Sequence, residues 1–422
     1  MRYSARRLCL ILCALLLLPL FIACGNAQSA GLPLVENGVA SFSILLPENA
    51  PAQVLYARDL LTAFLQSELG VTPCEPTENC TYRVLLGNTG DEKSKALSKK
   101  LEGDCFAMRM MENDLVVVAS NDAFLYDAVR ALLQNKDWLC LDREAGRMQI
   151  YKRLDHIGTG DTTSLRYLFT QETTIPSTAT HYTTLKGPEG FTNEQGGCFD
   201  GTYYYQAFVK KHSASNEELN AVQIRKFDYK TKELIACSEE LPLNHASDIT
   251  YNPNTGELFV AHNIPNRTRV SVLSADTLQL LRTVEIGDKI YGITYCKWRN
   301  VFAVALSSSQ DMRVLHADLT PTDGELFRGT DTTAEYIRQS ICSDDTFIYH
   351  VLWDDAHRNQ SNFQNLITVY DWYGNFVGVI NIAIGVIEPE NISIDENGKL
   401  MVVAATGEGA KLFEIIPTQP GK

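Results

Sequence analysis

The sequence has 422 residues, 45% of them hydrophobic, and its 37 Lys and Arg against 51 Asp and Glu give a formal net charge of −14. A chain of this length can bury two hydrophobic cores, so we expect two domains. The acidic excess makes nucleic acid and anionic membrane surfaces poor partners.

Residues 1–23 have the pattern of a secretory signal peptide. Three arginines, at positions 2, 6 and 7, precede an apolar run that contains Pro19 and is too short for a stable membrane span. The run ends in LFIACGN, which resembles the bacterial lipobox. This resemblance implies that Cys24 is lipidated, that residues 24–39 form a tether, and that the exported protein is anchored to the outer face of the bacterial cytoplasmic membrane. The alternative is ordinary cleavage nearby, which would give a secreted chain.

Eight cysteines follow Cys24, and none belongs to a C-x-x-C pair or has a histidine at metal-ligand spacing. We therefore predict no metal centre and no cofactor. An exported chain permits disulfides, and the predicted pair is Cys74 with Cys80, at the two ends of a turn-rich segment. The other cysteines are expected to be small buried hydrophobes.

Strand and helix patterns alternate from residue 40 to residue 155 and predict an α+β domain. The predicted elements are a strand at 40–46, a helix that starts within PENAPAQ, a strand at 82–87, a helix near 91–101, a hairpin that turns at 112–114, and a helix in NDAFLYDAVRALLQN.

Three phrases of this domain, SILLPENAPAQVLYARDLLTAFLQ, VLLGNTG and NDAFLYDAVRALL, resemble the accessory domain that precedes the catalytic barrel of alpha-glucuronidase-type glycoside hydrolases. The resemblance implies a setting among surface proteins that handle polysaccharides. It implies no glycosidase activity, because the catalytic carboxylates of those families lie in the barrel, and no run of alternating strands and long helices follows here.

The second part of the chain repeats itself. QGGCFDGTYYY, which starts at Gln195, aligns without a gap over QSICSDDTFIY, which starts at Gln339, at an offset that fits three units of about 48 residues. The intervening and following copies align on the positions Gly197, Ile249, Ile293, Ile341 and Ile392. Units of this size are typical of propeller blades, so we predict an all-β five-bladed β-propeller over residues 162–417.

The predicted fifth blade ends after its third strand, KLFEII. Its outer strand should therefore come from upstream and close the ring, and we place it near residues 164–174, in SLRYLFTQETT. The alternative is a ring of six blades with a degenerate blade between residues 160 and 190. The phrases QGGCFDGTYYY, NHASDITYNPNTGELFVAHN and EPENISID also resemble exported bacterial propellers with NHL and YncE-type repeats, a resemblance that implies the fold but no substrate.

Two residues of QGGCFDGTYYY are predicted to be architectural. Cys198 aligns with small residues in the other units, which favours a packing position, and no histidine lies where it could act as a base for a catalytic thiol. Asp200 aligns with Asn or Asp in three other units, where it would hydrogen-bond a local turn.

The segment that enters each inner strand lies at the mouth of a propeller channel, where ligands commonly bind. The polar side chains at these positions are predicted to line a ligand site: Glu194, Gln195, His245, Asp248, Tyr291, Arg338, Gln339, Glu388 and Glu390. The long polar loops KKHSASNEELN and DDAHRNQSNFQ are expected on the same face.

The favoured function is a non-catalytic cell-surface lipoprotein that binds a polysaccharide or peptide at this mouth. The plain alternative is that the polar residues only satisfy loop backbone and hydrate the channel. The enzymatic alternative is a polysaccharide hydrolase that uses a pair of these carboxylates, or a lyase with His245 or Tyr291 as base and Arg338 neutralising a uronate. Calcium at DENG, residues 395–398, is the third alternative; no EF-hand spacing surrounds this segment, and its residues favour a turn.

Overall fold

The computed structural model describes residues 31–76, 80–210, 220–307, 309–329, 335–406 and 408–419. Cys24 and most of KKHSASNEELN lie outside these ranges. The chain separates into two compact units between Thr162 and Thr163. Strands dominate both units, and they form several separate sheets.

The first unit contains nine strands and three helices among its described residues. They are β1 (Gly31–Glu36), β2 (Val39–Ala40), β3 (Phe42–Leu45), α1 (Ala52–Leu69), β4 (Tyr82–Leu86), α2 (Glu92–Ser98), β5 (Cys105–Met111), β6 (Asp114–Ala119), α3 (Phe124–Gln134), β7 (Leu139–Asp142), β8 (Arg147–Tyr151) and β9 (Asp155–Thr159). One sheet has the order β3-β4-β6-β5-β9, with its first three strands parallel. A smaller antiparallel sheet has the order β2-β1-β8-β7.

The predicted elements of this unit all occur, within a few residues of the expected bounds. α1 buries the face of Val54, Ala57, Leu61 and Leu65, which the helical spacing indicated, and ends at Gly70 in the left-handed conformation. The sequence reasoning missed β9 and the smaller sheet. Residues 24–39 were predicted to be a tether, whereas β1 pairs with β8 between Gly31 and Val35.

The predicted disulfide between Cys74 and Cys80 is wrong. Cys74 is a free cysteine whose thiol donates to the carbonyl oxygen of Ala40 at 3.4 Å. Its backbone N–H bonds Phe42 O, so the turn-rich segment is attached to the edge of β3 by hydrogen bonds instead of a covalent link.

The second unit begins with α4 (Leu165–Gln171), β10 (Thr174–Ile175) and β11 (Ser177–Leu185). The first sheet of the repeat region comprises β12 (Asn193–Phe199), β13 (Tyr203–Lys210), β14 (Ala221–Asp228) and β15 (Leu234–Cys237). The second comprises β16 (Asp248–Asn252), β17 (Glu257–Ala261), β18 (Arg269–Ser274) and β19 (Leu280–Glu285). The third comprises β20 (Ile290–Cys296), β21 (Val301–Leu306), β22 (Met312–His316) and β23 (Pro321–Phe327).

The fourth sheet comprises β24 (Ile337–Ser343), β25 (Phe347–Trp353), β26 (Asn365–Asp371) and β27 (Phe376–Ile382), with a short 3-10 helix at Asp355–His357 and β10 added at its outer edge. The fifth comprises β28 (Pro389–Ile394), β29 (Leu400–Ala405), β30 (Ala410–Pro417) and, last in space, β11. We call the first strand of each sheet its inner strand. Each inner strand lies beside that of the next sheet, and β28 lies beside β12, so the five form a closed ring.

The strand that completes the fifth sheet does come from upstream, but the predicted segment is wrong. Most of SLRYLFTQETT folds as α4, where Ser164 Oγ caps the first turn by accepting from Tyr167 N. The threonine-rich β11 follows it and pairs with β30 along its whole length, from Ser177 opposite Pro417 to Leu185 opposite Ala410. Residues 163–192, all of them described, form no sixth sheet.

Candidate functional site

The inner strands begin at one edge of the ring, which we call the mouth. Four of them have an irregular register at this edge, in β12, β20, β24 and β28. Such bulges turn side chains in a new direction and occur often beside functional sites. The repeat alignment gave no sign of them, because it fixed only the regular positions that follow.

Asp248, predicted to bind ligand at the mouth, is instead completely buried at the centre of the ring. Its two carboxylate oxygens accept five hydrogen bonds of 2.8–3.1 Å, from Ile249 N, Ile293 N, Ile341 N, Ser340 Oγ and Asn391 Nδ2. Burial raises the pKa of Asp248 to about 8, while these donors favour the carboxylate. We therefore assign Asp248 a structural role, because it joins four of the five inner strands.

Glycines make room for this carboxylate. Gly196 and Gly292 occupy the position that Asp248, Ser340 and Asn391 occupy in the other inner strands. A Cβ atom at Gly196 would lie 2.6 Å from Asp248 Cα, and one at Gly292 would lie 3.3 Å from its Oδ2. The five equivalent positions thus form one layer, with a single acid at its centre.

Two glutamine–carboxylate pairs lie at the mouth, as the sequence positions suggested. Gln195 Nε2 donates to Glu390 Oε2 at 3.0 Å, and Gln339 Nε2 donates to Glu388 Oε1 at 2.8 Å. Gln195 and Glu390 are buried, whereas Gln339 and Glu388 are partly exposed. Only the second pair is therefore open to a ligand.

Tyr291 and Arg338 also come together, but in a form unsuited to base catalysis. The Arg338 guanidinium lies 5.6 Å from the Tyr291 ring centre, and the Tyr291 hydroxyl bonds His350 Nε2 at 2.9 Å. Both ring side chains are buried. Burial lowers the pKa of His350 to about 3 and raises the pKa of Tyr291 far above its ordinary value. Tyr291 is therefore not an accessible base of suitable pKa for the predicted lyase.

Glu194 is buried, whereas His245 lies at the mouth, where it was predicted. Glu194 is 2% exposed, and its Oε2 has no hydrogen-bond partner among the described residues. Burial raises the pKa of its carboxyl. His245 is partly exposed, and its backbone N–H donates to His262 O, which holds it at the mouth edge.

The loop DDAHRNQSNFQ of the fourth sheet is ordered by a buried acid. Asp354 is 1% exposed; its Oδ1 lies 2.6 Å from His357 Nδ1, and its Oδ2 accepts from Gln364 N at 2.9 Å. Its own N–H donates to Asn365 Oδ1. The polar loop thus has a defined conformation that fixes the next residue, Arg358.

A cavity of about 230 Å³ lies beside this loop at the mouth, between the fourth and fifth sheets. It is lined by Trp353, Arg358, Val386, Ile387, Glu388 and Ala405. The Arg358 guanidinium lies 5.9 Å from the Trp353 ring centre. The sequence indicated Glu388 and the loop that contains Arg358, but not Trp353, since no motif distinguishes Trp353 from other residues at strand ends.

The structure confirms that Asp200 is architectural. Asp200 Oδ1 accepts from the backbone N–H groups of Thr202 and Tyr203, and its Oδ2 accepts from the Tyr205 hydroxyl at 2.7 Å. The equivalent Asp344 makes the same three kinds of bond, to Thr346 N, Phe347 N and the Tyr349 hydroxyl. The sequence repeat is therefore a repeat of hydrogen-bonded turns.

Cys198 is buried, and burial raises the pKa of its thiol well above the ordinary value. It lies on the wall of a narrow channel cavity of about 100 Å³, where Thr250, Thr294, Cys342 and Ser393 occupy the equivalent places. The small side chain therefore lines the channel wall, and it also packs in the hydrophobic cluster between the first and second sheets, as its alignment with small residues predicted. A thiol with this pKa is a poor nucleophile.

DENG forms the expected turn. Asp395 Oδ1 accepts from Asn397 N and Lys399 N, and Gly398 adopts a positive φ of 79°.

Within the described ranges, no group of three or more His, Cys, Asp and Glu side chains has an arrangement that could hold a metal ion. No helix in the described part of the chain is both long and apolar enough to cross a membrane.

Comparison with known proteins gives no family. No family model matches the sequence, and no curated protein is similar to it. Similar solved structures include the tail fiber of Staphylococcus aureus phage P68, at 12% identity over 58% of this chain and 53% of that one, with a TM-score of 0.41. The chain thus spans about half the length of that protein.

Another similar structure is the Myceliophteria thermophila Cps50 (Swd1) beta-propeller domain, at 13% identity over 54% of this chain and 65% of that domain, with a TM-score of 0.31. Kuenenia stuttgartiensis hydrazine synthase is similar at 12% identity over 50% of this chain and 64% of that chain, also with a TM-score of 0.31. At these TM-scores the similarities carry no argument about function.

Proposed function

We propose that the second unit is a five-bladed β-propeller that binds a polysaccharide at its mouth, on a protein exported and anchored to the cell surface through Cys24. The closed ring of five inner strands supports the number of blades. The alternation of strands and helices in the first unit supports an α+β domain like the accessory domains of glycoside hydrolases. The second unit would then bind glycans without catalysis.

The observation that carries the binding function is the cavity between Trp353, Arg358 and Glu388. Sugars present an apolar ring face and a rim of hydroxyl groups, so an aromatic surface beside charged hydrogen-bonding groups suits them. Glu388 has one oxygen held by Gln339, which fixes its orientation toward the cavity rim. Arg358 is 57% exposed at its side chain, and its ion pair with Asp355, at 3.6 Å, leaves other guanidinium N–H groups available to a ligand.

A glycan array on the soluble chain from Gly25 onward tests this function, with a peptide array beside it. We expect a glycan to bind, and Trp353→Ala to weaken its binding at least about fivefold, because a lost stacking contact is worth about 1 kcal/mol or more. Tyr373→Ala is the matched control, because Tyr373 is an exposed aromatic residue in the β26–β27 turn at the opposite edge.

The outcomes separate the alternatives. Binding to peptides alone would replace the glycan with a peptide ligand, and release of reducing ends from a bound polysaccharide would make the protein a hydrolase. Absence of all binding, or equal binding by the Trp353→Ala variant, would refute the proposed site.

Lipidation of Cys24 is tested separately. Cys24→Ser should release the protein from the membrane fraction or block its maturation. A fully processed variant that stays in the membrane would refute the anchor.

A further inference from the structure

The first unit contains a larger cavity, of about 450 Å³, that the proposed function does not use. It lies among the C-terminal parts of α1 and α3 and the strands β7 and β8. Phe64 and Tyr151 supply aromatic rings to its wall, and Leu133, Leu139 and Leu141 supply aliphatic surface. Its volume lies within the range of about 300–1,000 Å³ that is common for small-molecule sites, and its wall combines apolar surface with about as much polar surface.

The charged groups at this cavity have one sign. Lys136 and Arg143 line it, and none of the described residues that line it is acidic. Lys136 is exposed and forms no ion pair with any described residue. Arg143 Nε pairs with Glu68 Oε2 at 2.5 Å, so one edge of its guanidinium is fixed and the rest of the fork stays available. Two cations beside an apolar wall, in a chain of net charge −14, indicate an anionic ligand.

We infer that this cavity binds a small ring-shaped carboxylate, with the ring against Phe64 and Tyr151 and the carboxylate paired with Lys136 and Arg143. The guanidinium fork matches a carboxylate in geometry, and an aromatic wall accepts either a planar ring or the apolar face of a sugar ring. A uronic acid and an aromatic acid share this chemistry. The inference concerns the first unit alone and does not depend on a ligand at the mouth.

Cys140 can report directly on ligand binding, because this free, partly exposed cysteine lines the same cavity. The experiment measures alkylation of Cys140 by iodoacetamide in the chain from Gly25 onward, by mass spectrometry of the peptides, with glucuronate or benzoate present. Glucose and benzyl alcohol are the matched probes that carry the same rings without a carboxylate. The exposed Cys237 in the second unit is the internal reference for reagent activity.

We expect at least one of the two acids to slow alkylation of Cys140 several-fold, with no effect at Cys237 and none from the uncharged probes. The acid that protects identifies the ring type. Protection by glucose or benzyl alcohol to the same degree, or by neither acid, would overturn the inference. If Cys140 does not react without ligand, saturation-transfer NMR with the same four probes decides between these outcomes.

A pair of variants tests whether Lys136 binds the carboxylate. Lys136→Gln should raise the protecting concentration about tenfold, as expected for the loss of a charge-assisted hydrogen bond. Lys152→Gln is the control, since Lys152 is an exposed lysine just beyond β8 that does not line the cavity. Equal protection in the two variants would contradict the role of Lys136, and the comparison of probes on the unaltered chain remains decisive if a variant does not fold.

Discussion

Asn391 Nδ2 lies 3.1 Å from Asp248 Oδ1, and this bond joins β28 to β16, two inner strands that are not neighbours in the ring. Asn391 also donates to Ser340 Oγ on β24 at 2.9 Å. The polar groups at the centre therefore connect strands far apart in the chain. Such a network is strong when complete and costly when one member is lost, because its groups are shielded from water.

Removal of the central acid should unfold or strongly weaken the second unit. Asp248→Ala leaves five buried donors without their acceptor, and each unsatisfied group costs about 1–3 kcal/mol, so we expect a loss of at least about 4 kcal/mol after relaxation. Urea unfolding followed by circular dichroism measures it. Asp276→Ala, at an exposed position of the same unit, is the control. Similar midpoints for the two variants would show that the network is not needed for stability.

The two glycines of this layer should differ in their tolerance of a methyl group. In Gly196→Ala the new Cβ would lie 2.6–2.7 Å from backbone atoms of Asp248. Because backbone atoms are involved, one of the two inner strands would have to move to relieve this clash. In Gly292→Ala the closest atom is Ile341 Cγ1 at 3.1 Å, a side-chain contact that a shift of a few tenths of an ångström relieves. We expect a loss of about 1–3 kcal/mol for Gly196→Ala and a clearly smaller one for Gly292→Ala. The reverse order in thermal melting would contradict this account of the layer.

The sequence predicted the repeat and the positions of the inner strands because both depend on local patterns. Turn aspartates such as Asp200 and alternating apolar residues have the same short-range signature in every unit. The roles of Asp248 and Gly196 depend on atoms from other units, and the alignment treated Asp248 as one more polar residue at a strand start. Trp353 was missed for the same reason, since its cavity forms only where two sheets meet.

The strand that completes the fifth sheet shows a second limit of prediction from the sequence. SLRYLFTQETT and STATHYTTL are adjacent and both contain residues that suit strands, so the requirement for an upstream strand did not decide between them. The serine that caps α4 and the β-branched run of β11 are the signals that separate the two.

A buried histidine should make the second unit sensitive to acid. His262 is 3% exposed and lies 2.7 Å from both Asn244 Oδ1 and Ser271 Oγ, and burial lowers its pKa to about 4. Well above pH 6.5 the imidazole is neutral in both the folded and the unfolded chain. As the pH falls below 6.5 the unfolded chain takes up a proton that the folded chain excludes, so stability is lost, by about 2 kcal/mol at pH 5.

The test compares unfolding free energies at pH 7 and pH 5 for the unaltered chain, His262→Gln and, as control, His316→Gln at an exposed position. His262→Gln should lower stability at pH 7 but lose less on acidification than the other two chains. An equal loss in all three would show that other groups account for the acid sensitivity.

The fifth sheet should depend on β11 and not on α4. A chain that starts at residue 176 keeps β11, whereas one that starts at 187 exposes β30 as an unpaired edge and uncovers the core around Leu185. We expect the shorter chain to aggregate or to melt well below the longer one in differential scanning fluorimetry. Equal melting temperatures would place the closing strand elsewhere.

Cys198 should behave as a wall residue and not as a nucleophile. Cys198 and the equivalent Cys342 are buried, and burial raises the pKa of both thiols well above the ordinary value, so neither presents a thiolate at neutral pH. Iodoacetamide should modify the exposed Cys237 in the folded chain and reach the two buried thiols only in urea. Cys198→Ser should change the melting temperature slightly and leave any glycan binding intact, because serine fits the same space and occupies the equivalent position at Ser393. Rapid modification of Cys198 in the folded chain, or loss of ligand binding in a folded Cys198→Ser variant, would show instead that this thiol takes part in function.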